Sequence, residues 1–269
     1  MIRSLGKAVE AQLANREPVM MVSITDAKGS TPRAAGTRMA VTAAQIFGTI
    51  GGGHLEFQAT LHARRMLADG RAQDTIELAL GPAMGQCCGG RVGLSLARAD
   101  KQTAALIVAD EAEAARAMPL IALFGAGHVG RALATALSPL PVRLLWADER
   151  PDAFPSEIDD SVEIASDEWS VVMNRDEPLA AVVVMTYDHG LDFEITEAAL
   201  VRTDIDYVGL IGSATKRRRF ETWFAKRGGE AGALRRLVSP IGDFGVADKR
   251  PEVIAALVAV EIMQRLFPS

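Results

Sequence analysis

The sequence is poor in cysteine, and its only two cysteines, Cys87 and Cys88, are neighbours. Adjacent cysteines can close only a strained ring, so an ordinary disulfide framework is excluded and a reducing compartment is expected. An excess of basic residues is also lacking, because the formal net charge is -5. We therefore expect no binding to nucleic acid.

Long apolar runs are missing as well. Runs such as 119–124 and 181–185 have the length of strands, far short of the roughly 20 residues that cross a bilayer. A continuous apolar block typical of a secretory signal is absent, since Arg3, Lys7 and Glu10 interrupt the first residues. These absences predict a cytoplasmic protein without a membrane segment, and 269 residues favour two modest domains.

Residues 1–100 predict a compact α+β domain. The apolar periodicity changes from helical to strand-like and back within this stretch, with Gly, Pro and Ser between the runs. The predicted elements are a helix over 1–15, strands over 18–25, 37–42 and 45–50, a helix over 52–67 and a strand pair near 76–80 and 92–96.

Residues 119–269 predict a second domain of the α/β class. Strand-like runs alternate with helical or loop stretches, which is typical of a Rossmann-like, doubly wound parallel sheet. The predicted strands cover 120–124, 142–147, 162–164, 181–185 and 207–211, and a helix covers 251–266. Residues 101–118 are rich in Ala, Glu and Asp without a clear apolar stripe, so we interpret them as a connector.

A glycine motif follows the first strand of this second domain. Gly125, Gly127 and Gly130 have the spacing of a dinucleotide-binding loop, and Asp148 closes the next strand, where an acidic residue would bind a ribose hydroxyl. Such a loop suits a phosphorylated ligand at a helix amino end. Two alternatives stay open: a Rossmann-type fold with a repurposed nucleotide site, and NAD-dependent hydride transfer. A short-chain dehydrogenase is not supported, because Leu191 stands where a lysine would follow Tyr187.

Two further loops follow predicted parallel strands and should meet in the same crevice. One carries Asp188 and His189, an oriented base or simply a structural hydrogen-bonding pair. The other carries Ser213 and Lys216 and continues into three arginines, which suits an anionic ligand or a solvated helix face.

The first domain has a loop with three successive glycines, Gly51, Gly52 and Gly53, followed by His54. Three glycines are costly in conformational entropy unless the backbone approaches a ligand closely or makes a tight structural turn. No Gly-Lys-Ser/Thr follows, so nucleoside triphosphate hydrolysis is not supported.

Cys87 and Cys88 lie in a second glycine-rich segment of this domain. Soft thiols there could contact a metal or carry sulfur, or they could be inert and buried. They are too few for a structural zinc site, and no HExxH motif is present.

Six motifs in this order resemble the XdhC/CoxI family over nearly the whole chain. They are GSTPR at 29–33, GTIGGGHLE at 48–56, GQCCGG at 85–90, FGAGHVG at 124–130, DHGLDFEI at 188–195 and YVGLIGSATKRRRF at 207–220. His54 and the paired cysteines resemble the xanthine dehydrogenase branch more than the carbon monoxide dehydrogenase branch. The loop after Gly242 departs from the usual family pattern, since Asp243 follows instead of an apolar residue.

This resemblance implies a homodimeric accessory chaperone without catalytic turnover. Such a protein binds molybdenum cofactor, holds it while a cysteine desulfurase supplies sulfur, and inserts it into the apo-subunit of a xanthine dehydrogenase. On this hypothesis Cys87 and Cys88 contact molybdenum, Gly51 to His54 surround the cofactor, and the crevice of the second domain binds a phosphate. The alternative function is an NAD(P)-dependent oxidoreductase, and a nucleotide in the second domain is compatible with either.

Overall fold

The computed structural model describes residues 4–29, 31, 33–79 and 90–268. The chain divides into two units, residues 2–114 and residues 115–269. Each unit has its own sheet and its own hydrophobic clusters.

The first unit is an antiparallel sheet with helices on both faces. Its strands are ordered β3-β2-β1-β5-β4. The elements are α1 Leu5–Ala14, β1 Met20–Lys28, β2 Arg38–Val41, β3 Ile46–Gly48, α2 Gly53–Ala68, β4 Gln73–Ala79, β5 Arg91–Arg98 and α3 Lys101–Arg116.

Consecutive apolar residues of β1 point to opposite faces of the sheet and supply both cores of this unit. Met20, Val22 and Ile24 belong to the cluster that α2 completes, whereas Met21 belongs to the cluster with α1 and α3. Successive strand residues point to opposite faces, so one apolar strand supplies both cores.

Residues 101–118, which we interpreted as a connector, contain the helix α3. Ala104 and Ile107 of α3 are buried in one cluster with Val9 of α1 and Val19 before β1. The stripe that packs is short and consists partly of alanine, which is why the apolar pattern was weak in the sequence.

The second unit is a six-stranded parallel sheet with the order β11-β10-β9-β6-β7-β8. This is the strand order of dinucleotide-binding folds. The elements are β6 Leu120–Phe124, α4 His128–Leu137, β7 Arg143–Ala147, β8 Val162–Ala165, α5 Trp169–Met173, β9 Ala181–Val184, α6 His189–Val201, β10 Tyr207–Leu210, α7 Ala214–Lys226, β11 Leu237–Val238 and α8 Pro251–Leu266.

Helices cover both faces of this sheet, as its continuous apolar strands require. The helices α5, α6 and α7 pack on one face, and α4 and α8 pack on the other. The predicted fold class is confirmed: an antiparallel α+β part is followed by a Rossmann-like parallel part. The C-terminal helix α8 begins at Pro251, as predicted, and packs against α4 within the second unit.

Among the described residues, no helix combines the length and the apolar character that crossing a membrane requires.

The start of α4 lies very close to the loop that precedes it. A Cβ atom on Gly130 would lie 2.0 Å from the carbonyl oxygen of Gly125, a distance that no packed structure tolerates. A Cβ atom on Gly127 would meet no heavy atom within 4 Å, and its φ of -71° suits any residue. Gly130 is thus required for packing, whereas Gly127 is not.

We predict that Gly130→Ala lowers the free energy of unfolding by about 1–3 kcal/mol, because the methyl group overpacks the contact between α4 and the loop. Urea denaturation followed by circular dichroism measures the change. Gly127→Ala is the matched control and should leave stability within about 0.5 kcal/mol of the wild-type value. Equal destabilisation by both variants would contradict the structure.

Candidate functional site

The carboxyl ends of the parallel strands form a crevice in the second unit. The strand order reverses between β6 and β9, and ligands of open parallel sheets bind at such a switch point. The glycine loop after β6, Asp148 after β7, Thr186 after β9 and Gly212 after β10 all lie at this edge. The sequence-predicted residues of the second unit are therefore brought to one place.

The glycine loop is held by its neighbours. Gly125 has a φ of 113°, and a Cβ atom there would lie 2.2 Å from the carbonyl oxygen of Met185. The buried indole Nε1 of Trp146 donates a hydrogen bond of 3.0 Å to the carbonyl oxygen of Gly125. Gly125 and Gly130 are thus required by the fold itself, and Gly127 alone is free for the approach of a ligand.

The carboxylate of Asp148 accepts hydrogen bonds from neighbouring groups of the protein. Its Oδ2 accepts from the backbone N–H of Ala126 at 2.7 Å and from Arg150 at 2.9 Å. Its Oδ1 accepts from the backbone N–H and the Nε of Arg150 at 3.0 and 2.9 Å. The side chain of Asp148 is only 2% exposed, whereas that of Arg150 reaches solvent. Asp148 therefore anchors the glycine loop, and its predicted role as a ribose ligand stays a prediction.

The pKa of Asp148 reflects these contacts. Burial by itself raises the pKa of this carboxyl group, but the hydrogen bonds from Arg150 and Ala126 outweigh burial. The pKa consequently lies below its ordinary value of 3.8.

One pocket opens beside the glycine loop, and we call it the acidic pocket because Asp148, Glu149 and Asp167 are its charged residues. Its walls also include aromatic and aliphatic side chains. The guanidinium of Arg150 lies 4.3 Å from the centre of the exposed Tyr187 ring, which lines this pocket. The full lining is Phe124, Gly125, Ala147, Asp148, Glu149, Asp167, Trp169, Thr186, Tyr187, Leu191 and Ile195.

A second pocket lies between the loops after β9 and β10. We call it the basic pocket because Lys216, Arg219 and His189 line it. Its further lining residues are Thr186, Gly190, Asp192, Phe193, Ile211, Gly212, Ser213 and Thr215. Thr186 is a wall of both pockets, so the two adjoin.

Asp192 organises the basic pocket, although no motif in the sequence pointed to it. Its carboxylate is 1% exposed and forms an ion pair with Lys216. The backbone N–H and the hydroxyl of Thr186 donate to its other oxygen at 2.9 and 2.8 Å. The only sequence signal was an acidic residue in the first turn of an apolar helix, where carboxylates usually face solvent.

The pair of Asp188 and His189 is explained differently from either sequence interpretation. Asp188 caps α6, accepting from the backbone N–H groups of Gly190 and Leu191 at 2.8 and 2.9 Å. The Nδ1 of the exposed His189 faces Asp192 instead, at 3.9 Å.

Some side chains at the start of α7 form hydrogen bonds within the protein, and others are exposed to solvent. Ser213 caps α7, accepting at 3.4 Å from the backbone N–H of Lys216. Arg217 pairs with Glu221 and donates to the carbonyl oxygen of Ser239. Arg218 and Arg219 are exposed, and only Arg219 lines the basic pocket.

The glycine loop of the first unit is also held internally. Gly51, Gly52 and Gly53 have φ values of 124°, 74° and 60°, a region that favours glycine. The carboxylate of Glu56 accepts from the N–H groups of Ile50 and Gly52, both at 3.2 Å. The tight turn thus explains the three glycines by backbone conformation, and their contact with a cofactor stays a prediction.

The remaining predicted residues of the first unit are His54, Cys87 and Cys88. The partly buried ring of His54 contacts Gln58 at 3.2 Å on the next turn of α2. Cys87 and Cys88 lie outside the described residues, so their role as metal ligands stays a prediction. In the part of the chain that the structure describes, no three His, Cys, Asp or Glu side chains are grouped to hold a metal ion.

We predict that Asp148→Asn lowers the free energy of unfolding by about 2 kcal/mol at pH 7, since charge-assisted hydrogen bonds to Arg150 and Ala126 are weakened. Because the folded-state pKa of Asp148 is depressed, this stabilisation is complete above pH 3.8 and is lost as the pH falls through the folded-state pKa. Urea denaturation of both proteins between pH 7 and pH 3 measures the difference.

The exposed Asp160 supplies the control for this experiment. Asp160→Asn should leave the unfolding free energy unchanged across the same pH range. If the unfolding free energies of Asp148→Asn and wild type differ by the same amount at every pH, the charge of Asp148 is not the cause of the stabilisation.

Comparisons with known proteins agree with this architecture. A family model of the XdhC Rossmann domain matches residues 121–262, and a model of the XdhC and CoxI family matches residues 12–78. The uncharacterized protein YqeB of Escherichia coli (strain K12) is 26% identical over 260 residues, which cover 92% of this chain and 43% of that protein. The chain therefore spans less than half the length of this relative.

A solved structure supports the fold over nearly the whole chain. The crystal structure of a protein from Bacillus halodurans, described as a xanthine dehydrogenase, matches with a TM-score of 0.74 at 19% identity. The match covers 98% of this chain and 96% of that one. The resemblance predicted from the six motifs is confirmed, and because the first family model alone matches more than half of the sequence, the chain belongs to the XdhC and CoxI family.

Proposed function

We propose that this protein is a non-catalytic accessory factor that carries molybdenum cofactor to a xanthine dehydrogenase. Membership of the XdhC family suggests a role in xanthine dehydrogenase maturation. The finer steps are part of the proposal: the protein binds the cofactor, holds it while sulfur is supplied, and inserts it into the apo-subunit.

The observation that carries this proposal is the crevice at the switch point of the second unit. Gly127 presents backbone at the start of α4 with open space around its Cα. The basic pocket adds the Arg219 guanidinium, the Lys216 ammonium and the Ser213 hydroxyl. Backbone N–H groups at a helix start together with clustered cations are suited to a phosphate, and the cofactor carries one.

The charges of the basic pocket favour a bound anion only moderately, and this fits a carrier. Lys216 is already neutralised by Asp192, whereas Arg219 has no ion-pair partner among the described residues. A carrier must release its cargo to an acceptor, so a site with one uncompensated cation is better suited than a fully cationic one.

The first unit contributes to the proposal through the family resemblance. Cys87 and Cys88 are proposed to contact molybdenum, and Gly51, Gly52, Gly53 and His54 to surround the cofactor. A cysteine desulfurase and the apo-subunit of xanthine dehydrogenase are the proposed partners of a cytoplasmic homodimer.

An NAD(P)-dependent oxidoreductase is the alternative, and the contacts of Asp148 speak against it. In that class the carboxylate after the second strand accepts hydrogen bonds from a ribose. Here each carboxylate oxygen of Asp148 already accepts two hydrogen bonds. Those to Oδ1 both come from Arg150, and those to Oδ2 come from Ala126 and Arg150. We therefore favour carriage of a phosphorylated guest without turnover.

We predict that Gly127→Ala weakens retention of molybdopterin at least about tenfold, because the methyl group holds the phosphate away from the backbone N–H groups. Loaded protein is passed over a desalting column, and retained pterin is quantified by fluorescence after oxidation. Gly232→Ala is the matched control, because its Cβ would meet only the Arg235 side chain at an ordinary 3.6 Å. Equal retention by both variants would exclude the glycine loop from binding.

We further predict that Cys87→Ala and Cys88→Ala each lower the molybdenum-to-protein ratio after loading several-fold, since thiolates are soft ligands for the metal. Elemental analysis measures molybdenum, and pterin fluorescence measured on the same samples shows whether the organic part is still bound. An unchanged molybdenum-to-protein ratio in the variant that carries both substitutions would show that the thiols do not hold the metal.

A further inference from the structure

The basic pocket contains a buried carboxylate that opposes its cations. The side chain of Asp192 is 1% exposed, and its Oδ2 forms an ion pair with the ammonium of Lys216. Both residues line the pocket, which has a volume of about 530 Å³. An anion that enters this pocket therefore meets an ammonium group that already has a counter-ion.

The carboxylate of Asp192 is fixed from its other side. Its Oδ1 accepts from the backbone N–H and the hydroxyl of Thr186 at 2.9 and 2.8 Å. The ammonium of Lys216, by contrast, ends a flexible four-carbon stem. Of the two partners in the ion pair, Lys216 is thus the one that can turn toward a bound anion.

The other polar groups of the pocket suit an oxyanion. The guanidinium of Arg219 and the hydroxyls of Ser213 and Thr215 line it, and all of them are hydrogen-bond donors. Charged donors of this kind bind phosphate oxygens strongly. Among the described residues, Asp192 is the one carboxylate in the lining of this pocket, so it is the group that an oxyanion has to displace from Lys216.

We propose that Asp192 is an internal competitor of the phosphate group of the guest. It holds Lys216 when no guest is bound, and a bound phosphate draws the ammonium away from it. Breaking a buried ion pair leaves an uncompensated charge, which offsets part of the attraction of the phosphate. Asp192 therefore lowers the affinity of the pocket and favours release. The identity of the guest rests on the proposed function, whereas the competition of two anions for one ammonium does not.

The test measures binding of inorganic pyrophosphate to the full chain by isothermal calorimetry. Asp192→Asn should tighten binding about tenfold, because the ammonium is freed while the Oδ1 of asparagine still accepts from Thr186. Glu194→Gln is the matched control, since Glu194 is exposed on the same helix, has the same charge and lines neither pocket. Its affinity should stay within about twofold of the wild-type value.

A double-mutant cycle shows whether Asp192 acts through Lys216. Lys216→Met alone should weaken pyrophosphate binding about tenfold, because the carboxylate of Asp192 is then left unpaired in the pocket. The variant with both Asp192→Asn and Lys216→Met lacks both charges, and its affinity should lie within about threefold of the wild-type value. If circular dichroism shows that Asp192→Asn alone is unfolded, the comparison of Lys216→Met with the double variant still tests the proposal.

The release of molybdopterin tests the consequence for a carrier. Loaded Asp192→Asn should lose its pterin about tenfold more slowly than loaded Glu194→Gln, because the phosphate is held by a freed ammonium. Pterin that stays with the protein is measured by fluorescence after desalting at successive times. Equal rates of release from the two variants would overturn the role of Asp192 in release.

The outcomes separate this inference from the proposed function. If Asp192→Asn tightens pyrophosphate binding but the wild-type protein retains no molybdopterin, the competition is supported and the proposed function falls. If the wild-type protein retains molybdopterin but Asp192→Asn binds pyrophosphate no more tightly than Glu194→Gln, the inference is overturned and the proposed function stands. Absence of pyrophosphate binding in both the wild-type protein and Asp192→Asn also overturns the inference.

Discussion

The crevice of the second unit depends on the buried carboxylate of Asp148. It joins the end of β7 to the glycine loop after β6 through the backbone N–H of Ala126, and it orients Arg150 on its solvent side. The indole of Trp146 holds the same loop from below through the carbonyl oxygen of Gly125. The floor of the crevice is therefore ordered before a ligand arrives, and a ligand does not have to supply the energy for ordering it.

A second buried carboxylate, Asp192, has the corresponding role at the other end of the crevice. It ties Thr186 after β9 to Lys216 at the start of α7, and thereby neutralises one cation of the basic pocket. Arg219, which also lines that pocket, has no ion-pair partner among the described residues. Each of the two buried carboxylates is paired with a cation, Asp148 with Arg150 and Asp192 with Lys216.

Much of the architecture was predictable because it follows from the periodicity of apolar residues and from the spacing of the strand-like runs along the chain. The short strand-like runs of the first 100 residues and the regular succession of parallel strands predicted both sheets. Two elements were missed or misjudged: β11 has only two residues, and α3 packs through a short stripe containing Ala104. Both are too short or too weakly apolar for a pattern in the sequence, and tertiary packing defines them.

The sequence by itself determined which residues gather at the crevice, since glycine spacing and strand ends place Gly125, Asp148 and Ser213 at one edge of a parallel sheet. Only the tertiary structure decided what each of them does. It assigned Asp148 to the loop, showed that Gly130 is needed for packing while Gly127 is open, and revealed Asp192 as the partner of Lys216. The physical reason is that spacing along the chain specifies position, whereas hydrogen-bond partners depend on groups brought together from distant segments.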